Sequence, residues 1–372
     1  NILRLGVYQI VFMDRVSTPA AVHTAVELAK GCARAHVVRF VNGILRSVGR
    51  SHADVPFPEI ASGTDPVQAI SVTRSYPPWL IRRWIDRYGV AGTVSRCDAE
   101  NEVPPVTLRT NTLRTDRVTL VDALDGAAGS IRPTLLSPDG IILTGLERPV
   151  FHLPGYADGW FGVQDEAAQL VTHLMDPRPG ESILDACAGL GGKTGHLAQR
   201  MENRGRILAI DRDSHRLAAL RAEMTRLGVT IVTDQVADWE AAPEDLGPVD
   251  RVLVDAPCSG LGVLRRHPDA KWRADPADLP RQHDRQVRLL SAVAPLLRFG
   301  GVITYVVCST EPEETGDVAR TFLDRHSDFE QLRDPGGLPE PARRLVDSDG
   351  VFRTRPDIDG MDGFFAVRFR KI

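Results

Sequence analysis

Two cysteines in the second half of the chain stand in matching surroundings. Cys258 lies in D-A-P-C-S-G and Cys308 in V-V-C-S-T, each just past an apolar run of strand length and each followed by Ser. A buried structural thiol is the usual use of an unpaired cysteine. Two thiols facing one crevice beside a carboxylate and an ammonium would be nucleophile chemistry instead. A free thiol has a pKa of ~8.5, so that role needs an electropositive neighbourhood to raise the thiolate fraction. Asp255, three residues before Cys258, is the carboxylate, and Lys193, in a glycine loop, is the candidate ammonium. The chain has 41 Arg and only four Lys (Lys30, Lys193, Lys271, Lys371), so a Lys among glycines marks a place where a compact ammonium is wanted.

That loop belongs to Ser182–Leu197, S-I-L-D-A-C-A-G-L-G-G-K-T-G-H-L. Ile183-Leu184 reads as a buried strand ending in Asp185. The chain then runs through Gly189, Gly191 and Gly192 into a helix starting near Lys193. Glycines between strand and helix let backbone amides approach a ligand, and the helix amino terminus favours electron-rich groups. Two familiar patterns each fail by one residue. A phosphate-binding loop needs glycine at 187, where the chain has Cys187, and a dinucleotide fingerprint from Gly189 needs glycine at 194, where it has Thr194. Asp211, closing the next strand, suits a ribose diol, and Asp238, after the third, could accept from the exocyclic amine of adenine. One Asp at a strand end is usually a cap or turn residue. Three at successive strand ends behind a glycine loop point to an adenosine-containing ligand.

These residues need a parallel sheet to bring them together, and the pattern after Gly155 predicts one. Helix Asp165–Met175 precedes the strand at Ile183. Strand R-I-L-A-I-D ends at Asp211 and feeds helix Ser214–Leu227, and I-V-T-D-Q-V reaches Asp238. R-V-L-V-D-A-P reaches Asp255, helix Gln282–Leu297 leads to a strand ending at Cys308, and helix Glu313–Arg325 follows. The alternating run Gly363–Arg370 closes the sheet antiparallel. Strands alternating with helices predict an α/β, doubly wound sheet whose ligands bind beyond the carboxyl ends of the strands.

Upstream the texture differs. Residues 1–50 read as helices, with Tyr8, Val11 and Phe12 on one face and Ala21–Lys30 and Val37–Val48 at helical spacing. The chain starts at Asn1, without Met, in what reads as helix interior, so residues upstream are expected to be missing. A Pro/Gly/Ser-rich break at Asp54–Pro66 precedes a helix pair near Val67–Thr73 and Pro78–Tyr88, where Trp79 and Trp84 read as core or docking residues. From Val106 to Pro154 the segments V-T-L-R-T-N, V-T-L-V-D-A-L, T-L-L-S and I-I-L-T predict a small α+β module. Arg109 and Asn111 alternate with apolar neighbours on its first strand. They could reach a polynucleotide, although a plain exposed strand face explains them as well.

Composition bounds the rest. At 372 residues, two or three domains are expected, at ~100–200 residues each. No apolar run approaches the ~18 residues of a membrane span. Five cysteines, an odd number with no C-x-x-C pair, argue against a disulfide framework or a zinc site and fit a reducing cytoplasm. Net charge is only −4, so nucleic-acid binding would rest on local patches. Residues 1–50 carry seven Arg/Lys against two Asp/Glu, and residues 261–300 eight against four. Solvated helix faces account equally well for either patch taken alone.

Residues 155–372 resemble the RNA 5-methylcytosine methyltransferases of the Nol/Nop/Sun group. The matching segments, in the family's order, are V-Q-D-E-A-A-Q-L (163–170), L-D-A-C-A-G-L-G-G-K-T (184–194), A-I-D-R-D (209–213), V-D-A-P-C-S-G (254–260), R-R-H-P-D-A-K-W (265–272), Y-V-V-C-S-T-E-P-E-E (305–314) and M-D-G-F-F (361–365). The amino-terminal helices, with A-V-E-L-A-K and R-F-V-N-G-I-L-R, resemble the later half of a NusB-like domain, which marks the bacterial branch acting on small-subunit ribosomal RNA. The layout this implies is a NusB-like helical RNA-binding region (1–60), a helical linker (61–100), a small α+β RNA-binding module (101–154) and a Rossmann-like methyltransferase domain (155–372).

The resemblance implies S-adenosylmethionine as cofactor, over Cys187, Ala188, Gly189, Leu190, Gly191, Gly192 and Lys193, with Asp211 on its ribose, Asp238 near its adenine and Asp255 adjoining. It implies Cys308 as the nucleophile adding to cytosine carbon 6, Asp255 at nitrogen 3, Cys258 assisting release and Lys193 supporting charge. It also implies RNA as partner, no metal, no membrane and a monomer. The family loop reads C-A-A-P-G-G-K-T, so Gly189 and Leu190 replace Ala and Pro, which loosens the turn. Val307 precedes Cys308 where Thr is usual, and Thr315 follows P-E-E where Asn is common. An RNA-binding assembly factor with poor catalysis is the alternative that the altered loop raises; a nucleotide-dependent oxidoreductase or NTPase is a more distant one.

Overall fold

A computed structural model describes residues 1–54, 63, 65–239 and 246–372, which form two compact units, 1–73 and 74–372. Most of the break predicted at 54–66 lies outside the described residues.

The first unit contains α1 (Ile2–Phe12), α2 (Thr18–Cys32), α3 (Ala35–Ser51) and α4, which runs from Pro66 to its boundary at Arg74. Its core is Val22, Ala25, Ala29, Val41 and Leu45. Gly6 lets α1 close onto this core, since a Cβ there would lie 2.6 Å from Leu45 Cδ1. The grouping of Tyr8, Val11 and Phe12 is not the stripe that packs. Tyr8 and Phe12 are exposed with rings 5.6 Å apart, while Ile2, Leu3, Val7 and Ile10 face the core. The inward face carries the same three- and four-residue spacing, but Gly6 at its centre adds no apolar side chain to reveal it.

In the second unit α5 (Pro78–Asn101) comes first, broken at Gly89, whose φ is 70°. Trp84 is fully buried and its Nε1 donates to Glu311 Oε1 at 3.1 Å. Then come β1 (Val106–Thr110), α6 (Arg117–Ala123), β2 (Ala128–Pro133), β3 (Gly140–Leu146) and β4 (Phe161–Val163). They make an antiparallel sheet in the order β2-β3-β1-β4. T-L-L-S is the loop between β2 and β3 and not a strand. Its amides at Leu136 and Ser137 donate to the Glu166 carboxylate at 2.6 and 2.8 Å, which removes them from any ladder.

The larger sheet follows from α7 (Glu166–Met175), β5 (Ser182–Asp185), α8 (Gly192–Arg200), β6 (Arg206–Asp211), α9 (Ser214–Leu227), β7 (Val232–Val236) and β8 (Val249–Asp255). It continues through α10 (Ala270–Arg273), α11 (Asp278–Val293), β9 (Leu297–Val307), α12 (Gly316–Arg325), β10 (Phe329–Gln331), β11 (Phe352–Arg353), α13 (Pro356–Asp359) and β12 (Phe365–Lys371). The strand order is β10-β12-β9-β8-β5-β6-β7, with β11 paired to β12. Strands β9 to β7 are parallel, and β12 is antiparallel to β9, as expected. One face is covered by α7, α8 and α9 and the other by α11 and α12, giving two apolar layers. Chain order reverses between β5 and β8, and a crevice opens beyond the carboxyl ends of strands at such a point.

Candidate active site

The glycine loop leaves β5 at Asp185 and enters α8 at Gly192. Gly189 and Gly191 take left-handed φ of 55° and 86°, which L side chains resist. At Gly191 space is short as well, since a Cβ would meet Leu220 Cγ at 2.8 Å. The loop is braced from the small sheet. Arg109 Nη1 donates to Gly192 O and to Gln164 Oε1, both at 2.5 Å. Asn111 Nδ2 donates to Gly159 O and Leu227 O at 2.7 and 2.8 Å. Arg109 and Asn111 are therefore neither polynucleotide contacts nor an exposed strand face; both are buried struts. Burial brings the Arg109 pKa down to about 10, so it stays cationic at neutral pH.

A cavity of about 970 Å³ opens over the loop. Cys187, Ala188, Gly189, Leu190, Gly192 and Lys193 line it together with Asp211, Asp238 and Asp255, whereas Gly191 lies behind it. Asp211 Oδ2 accepts from Gly189 N and Oδ1 from Asp213 N, both at 2.9 Å. Each carboxylate oxygen can take a second donor. Asp185 also faces the cavity. Thr194 Oγ1 donates to its Oδ2 at 2.7 Å, but its buried Oδ1 has no partner, and burial raises its pKa to about 7. An added cation there would restore both solvation and charge.

Sequence reasoning missed the far wall. Trp239, Arg212, Arg285 and Arg288 also line the cavity. Trp239 Nε1 is fixed to Ala186 O at 2.7 Å. The available signals were an aromatic residue directly after Asp238 and two arginines three apart on α11.

The two thiols meet. Cys258 Sγ and Cys308 Sγ are 3.4 Å apart, one in the loop after β8 and the other directly beyond the last residue of β9. Neither lines the cavity, but Lys193 and Asp255 do, and Lys193 Nζ donates to Asp255 Oδ2 at 2.7 Å. Burial works against the Lys193 charge; attraction to Asp255, their hydrogen bond, and the charges of Cys308 and Asp185 outweigh it, and the pKa is raised. The hydrogen bond to Cys308, with burial, pushes the Cys258 thiol well above its ordinary range. The two sulfurs are within hydrogen-bonding reach, and either can be the donor.

Two more groupings bear on the sequence reading. In the 261–300 patch Arg265 and Arg266 are tied to Asp165 and Asp362 at 2.6–3.3 Å, and Lys271 is buried with its Nζ 3.8 Å from the Tyr76 ring centre. Much of that basic excess is internal. Asp139, His173 and His196 hold metal-ligand atoms within 4.8 Å of one another, a cluster that their spacing in the chain did not mark. Both Nε2 atoms reach Asp139 Oδ2, at 3.0 and 3.3 Å, binding the β2–β3 turn to α7 and α8. None of the three lines the cavity.

A glycine loop after the central parallel strand, carboxylates on the strands beside it and an antiparallel strand next to β9 define a Rossmann-like methyltransferase. Solved structures share this architecture. The crystal structure of PH0851 is similar over 100% of this chain and 81% of its own, with a TM-score of 0.85 and 27% identity. A methyltransferase homolog protein from Pyrococcus horikoshii covers 83% of this chain with 100% of its own, at a TM-score of 0.70 and 28% identity. The chain belongs to the 16S rRNA methyltransferase RsmB/F family, whose model matches residues 172–370. Models of the NusB family and of the RsmF/B-like ferredoxin-like domain match residues 1–50 and 76–149. The "Probable ribosomal RNA small subunit methyltransferase B" of Bacillus subtilis is 35% identical over 374 residues, covering 100% of this chain and 82% of that protein.

Proposed function

We propose that the chain transfers a methyl group from S-adenosylmethionine to carbon 5 of a cytosine in small-subunit ribosomal RNA, through a covalent adduct between Cys308 and carbon 6. The observation that carries this reading is the 3.4 Å thiol pair next to the Lys193–Asp255 ion pair.

The cavity residues fit the cofactor. Asp211 has acceptor capacity left for a ribose diol, Asp238 and Trp239 form the wall where an adenine would lie, and the orphaned Asp185 Oδ1 suits a cationic amino group. When bound, S-adenosylmethionine supplies an electrophilic methyl carbon on a positively charged sulfur.

Carbon 5 of cytosine is a poor nucleophile, and adding a thiolate at carbon 6 divides one hard step into easier ones. Cys308 Sγ gives the electron pair. The Cys258 S–H stabilises that thiolate by hydrogen bonding, and Lys193 stabilises it by charge. Nitrogen 3 gains a proton from the Lys193–Asp255 pair, which leaves carbon 5 an enamine carbon. After methylation the carbon-5 proton passes to water and the nitrogen-3 proton returns to the Lys193–Asp255 pair; the C6–S bond breaks and its electron pair returns to Cys308 Sγ. The Cys258 S–H stabilises that departing thiolate by hydrogen bonding, which restores the starting state. The target base must leave its stack, at a cost of a few kcal/mol, so unpaired sites are favoured. The arginines of residues 1–50 are all exposed, as phosphate contacts require.

Denaturing gels with labelled RNA and S-adenosylmethionine test the assignment. Cys308→Ala is expected to abolish methylation and form no adduct, whereas Cys258→Ala should accumulate a covalent protein–RNA complex. The reverse pattern would exchange the two roles.

A further inference from the structure

The thiols sit on separate loops, after β8 and after β9, whose backbones meet where Ala256 N donates to Val306 O at 2.9 Å and Gly262 N to Cys308 O at 3.0 Å; between those two ties the Cys258 segment is held by side chains. A single buried side chain joins the residues that follow them. Glu314 Oε1 accepts from Ser259 N at 2.7 Å, and Oε2 accepts from Ser259 Oγ and Ser309 Oγ, both at 2.5 Å. Ser259 follows Cys258, and Ser309 follows Cys308. The carboxylate is itself held from behind. Tyr305 Oη donates to Glu314 O at 2.7 Å and to Gln286 Oε1 at 3.1 Å. Gln286 Nε2 reaches Pro257 O at 2.9 Å and Glu314 Oε1 at 3.4 Å. Glu314, Gln286 and Tyr305 are all fully buried.

We infer that Glu314 is a positioning residue that fixes the distance between Cys258 and Cys308 by clamping the serine after each. The inference rests on the reading that both thiols act on one base. The residue type fits the task. Three short donors and the longer Gln286 amide converge on two oxygens, and a carboxylate accepts all four at once. A buried carboxylate is costly unless fully hydrogen-bonded, and here the surroundings provide those bonds. Glu314 touches neither sulfur, so its influence runs through the two serines.

The test is a thiol-pairing rate on the full, reduced chain, without RNA or cofactor. Diamide takes two electrons and two protons from a thiol pair, and mass spectrometry of the joined peptide follows the Cys258–Cys308 disulfide. Sulfurs already in contact should pair fast. In Glu314→Ala the rate should fall by about 100-fold, the scale of a 1 Å misplacement, with cooperative melting retained. Glu314→Gln should rescue most of it, because the serine hydroxyls can turn to accept from the amide. Adduct formation and adduct release should slow together in Glu314→Ala, with the KM for S-adenosylmethionine unchanged. If Glu314→Ala does not fold, Ser259→Ala combined with Ser309→Ala cuts the two hydroxyl ties, keeps the bond from the residue 259 amide, and should slow pairing to a lesser extent. An unchanged or faster pairing rate in the folded variant overturns the inference. Failure of the methyl-transfer reading would show separately, as wrong adduct patterns with the pairing rate still dependent on Glu314.

Discussion

In the first fifty residues every arginine is exposed, and Lys30 is held only by a surface pair with Glu27. Between 261 and 300, Arg265 keeps 6% of its side chain exposed against Asp165 and Asp362, which keep 7% and 4%. Arg266 joins the same two carboxylates, and Lys271 lies beneath Tyr76. Both stretches read as basic excess. In the first the arginines face solvent, where they can meet phosphates; in the second Arg265 and Arg266 hold residue 362 against α7, since Asp362 N also donates to Asp165 Oδ1, while Arg273, Arg281, Arg288 and Arg298 stay exposed. A count of charges therefore says little until the acids that answer them, here about 100 residues away in each direction, are placed.

The comparison breaks if Arg265→Ala is benign. It should destabilise the second unit by about 3–5 kcal/mol in denaturant melts, because it strips a partner from two buried carboxylates. A smaller effect is expected beside Arg109. Burial depresses the His196 pKa from 6.5 to about 3, with its Asp139 hydrogen bond opposing and the Arg109 and His173 charges adding to the fall. As pH drops below 6.5 the unfolded chain takes up a proton that the folded one refuses, so stability is complete above that value and declines below it. Between pH 7 and pH 5 the loss from this group is about 2 kcal/mol, and His196→Gln should flatten that slope in melts across the range. Arg46→Ala with Arg50→Ala should give the smallest change in stability, within about 0.5 kcal/mol. The same pair should lower the salt slope of RNA binding by about 0.7–0.9 for each phosphate that is no longer neutralised. An unaltered slope would leave the exposed arginines without their assigned role.

The doubly wound sheet is legible in the sequence because β5, β6, β8 and β9 are apolar runs, mostly buried, and β5, β6 and β8 end in Asp; edge strand β7 is half exposed and stops at Val236, two residues short of Asp238. Helix α9 is legible to the residue, for Asp213 caps it at His215 N and Gly228 closes it in a left-handed turn. Along β1 the alternation of Arg109 with apolar neighbours reads as one dry and one wet face. Both faces are dry, because α7 and α8 cover the second, and a polar residue there has to find a partner. The wall of Trp239, Arg285 and Arg288 is not legible, since it is assembled from segments whose spacing carries no common period. The surroundings of Glu311 and Glu314 are hidden in the same way. Nothing in E-P-E-E marks Glu311 as buried, yet it is enclosed by Arg83, Arg87 and Trp84, whose bonds outweigh its burial and hold its carboxyl below the ordinary range.

The scarcity of lysine has a practical consequence for covalent labelling. Lys193 is locked to Asp255, Lys271 is buried, and Lys371 donates to the carbonyls of Ala294 and Leu297. Lys30 alone among the four side chains is exposed and bound only at the surface. Amine-directed reagents such as succinimidyl esters would thus react with one lysine in the helical unit and leave the crevice untouched. A dye, tether or cross-linker attached by that chemistry would report on the amino-terminal helices without disturbing the thiol site.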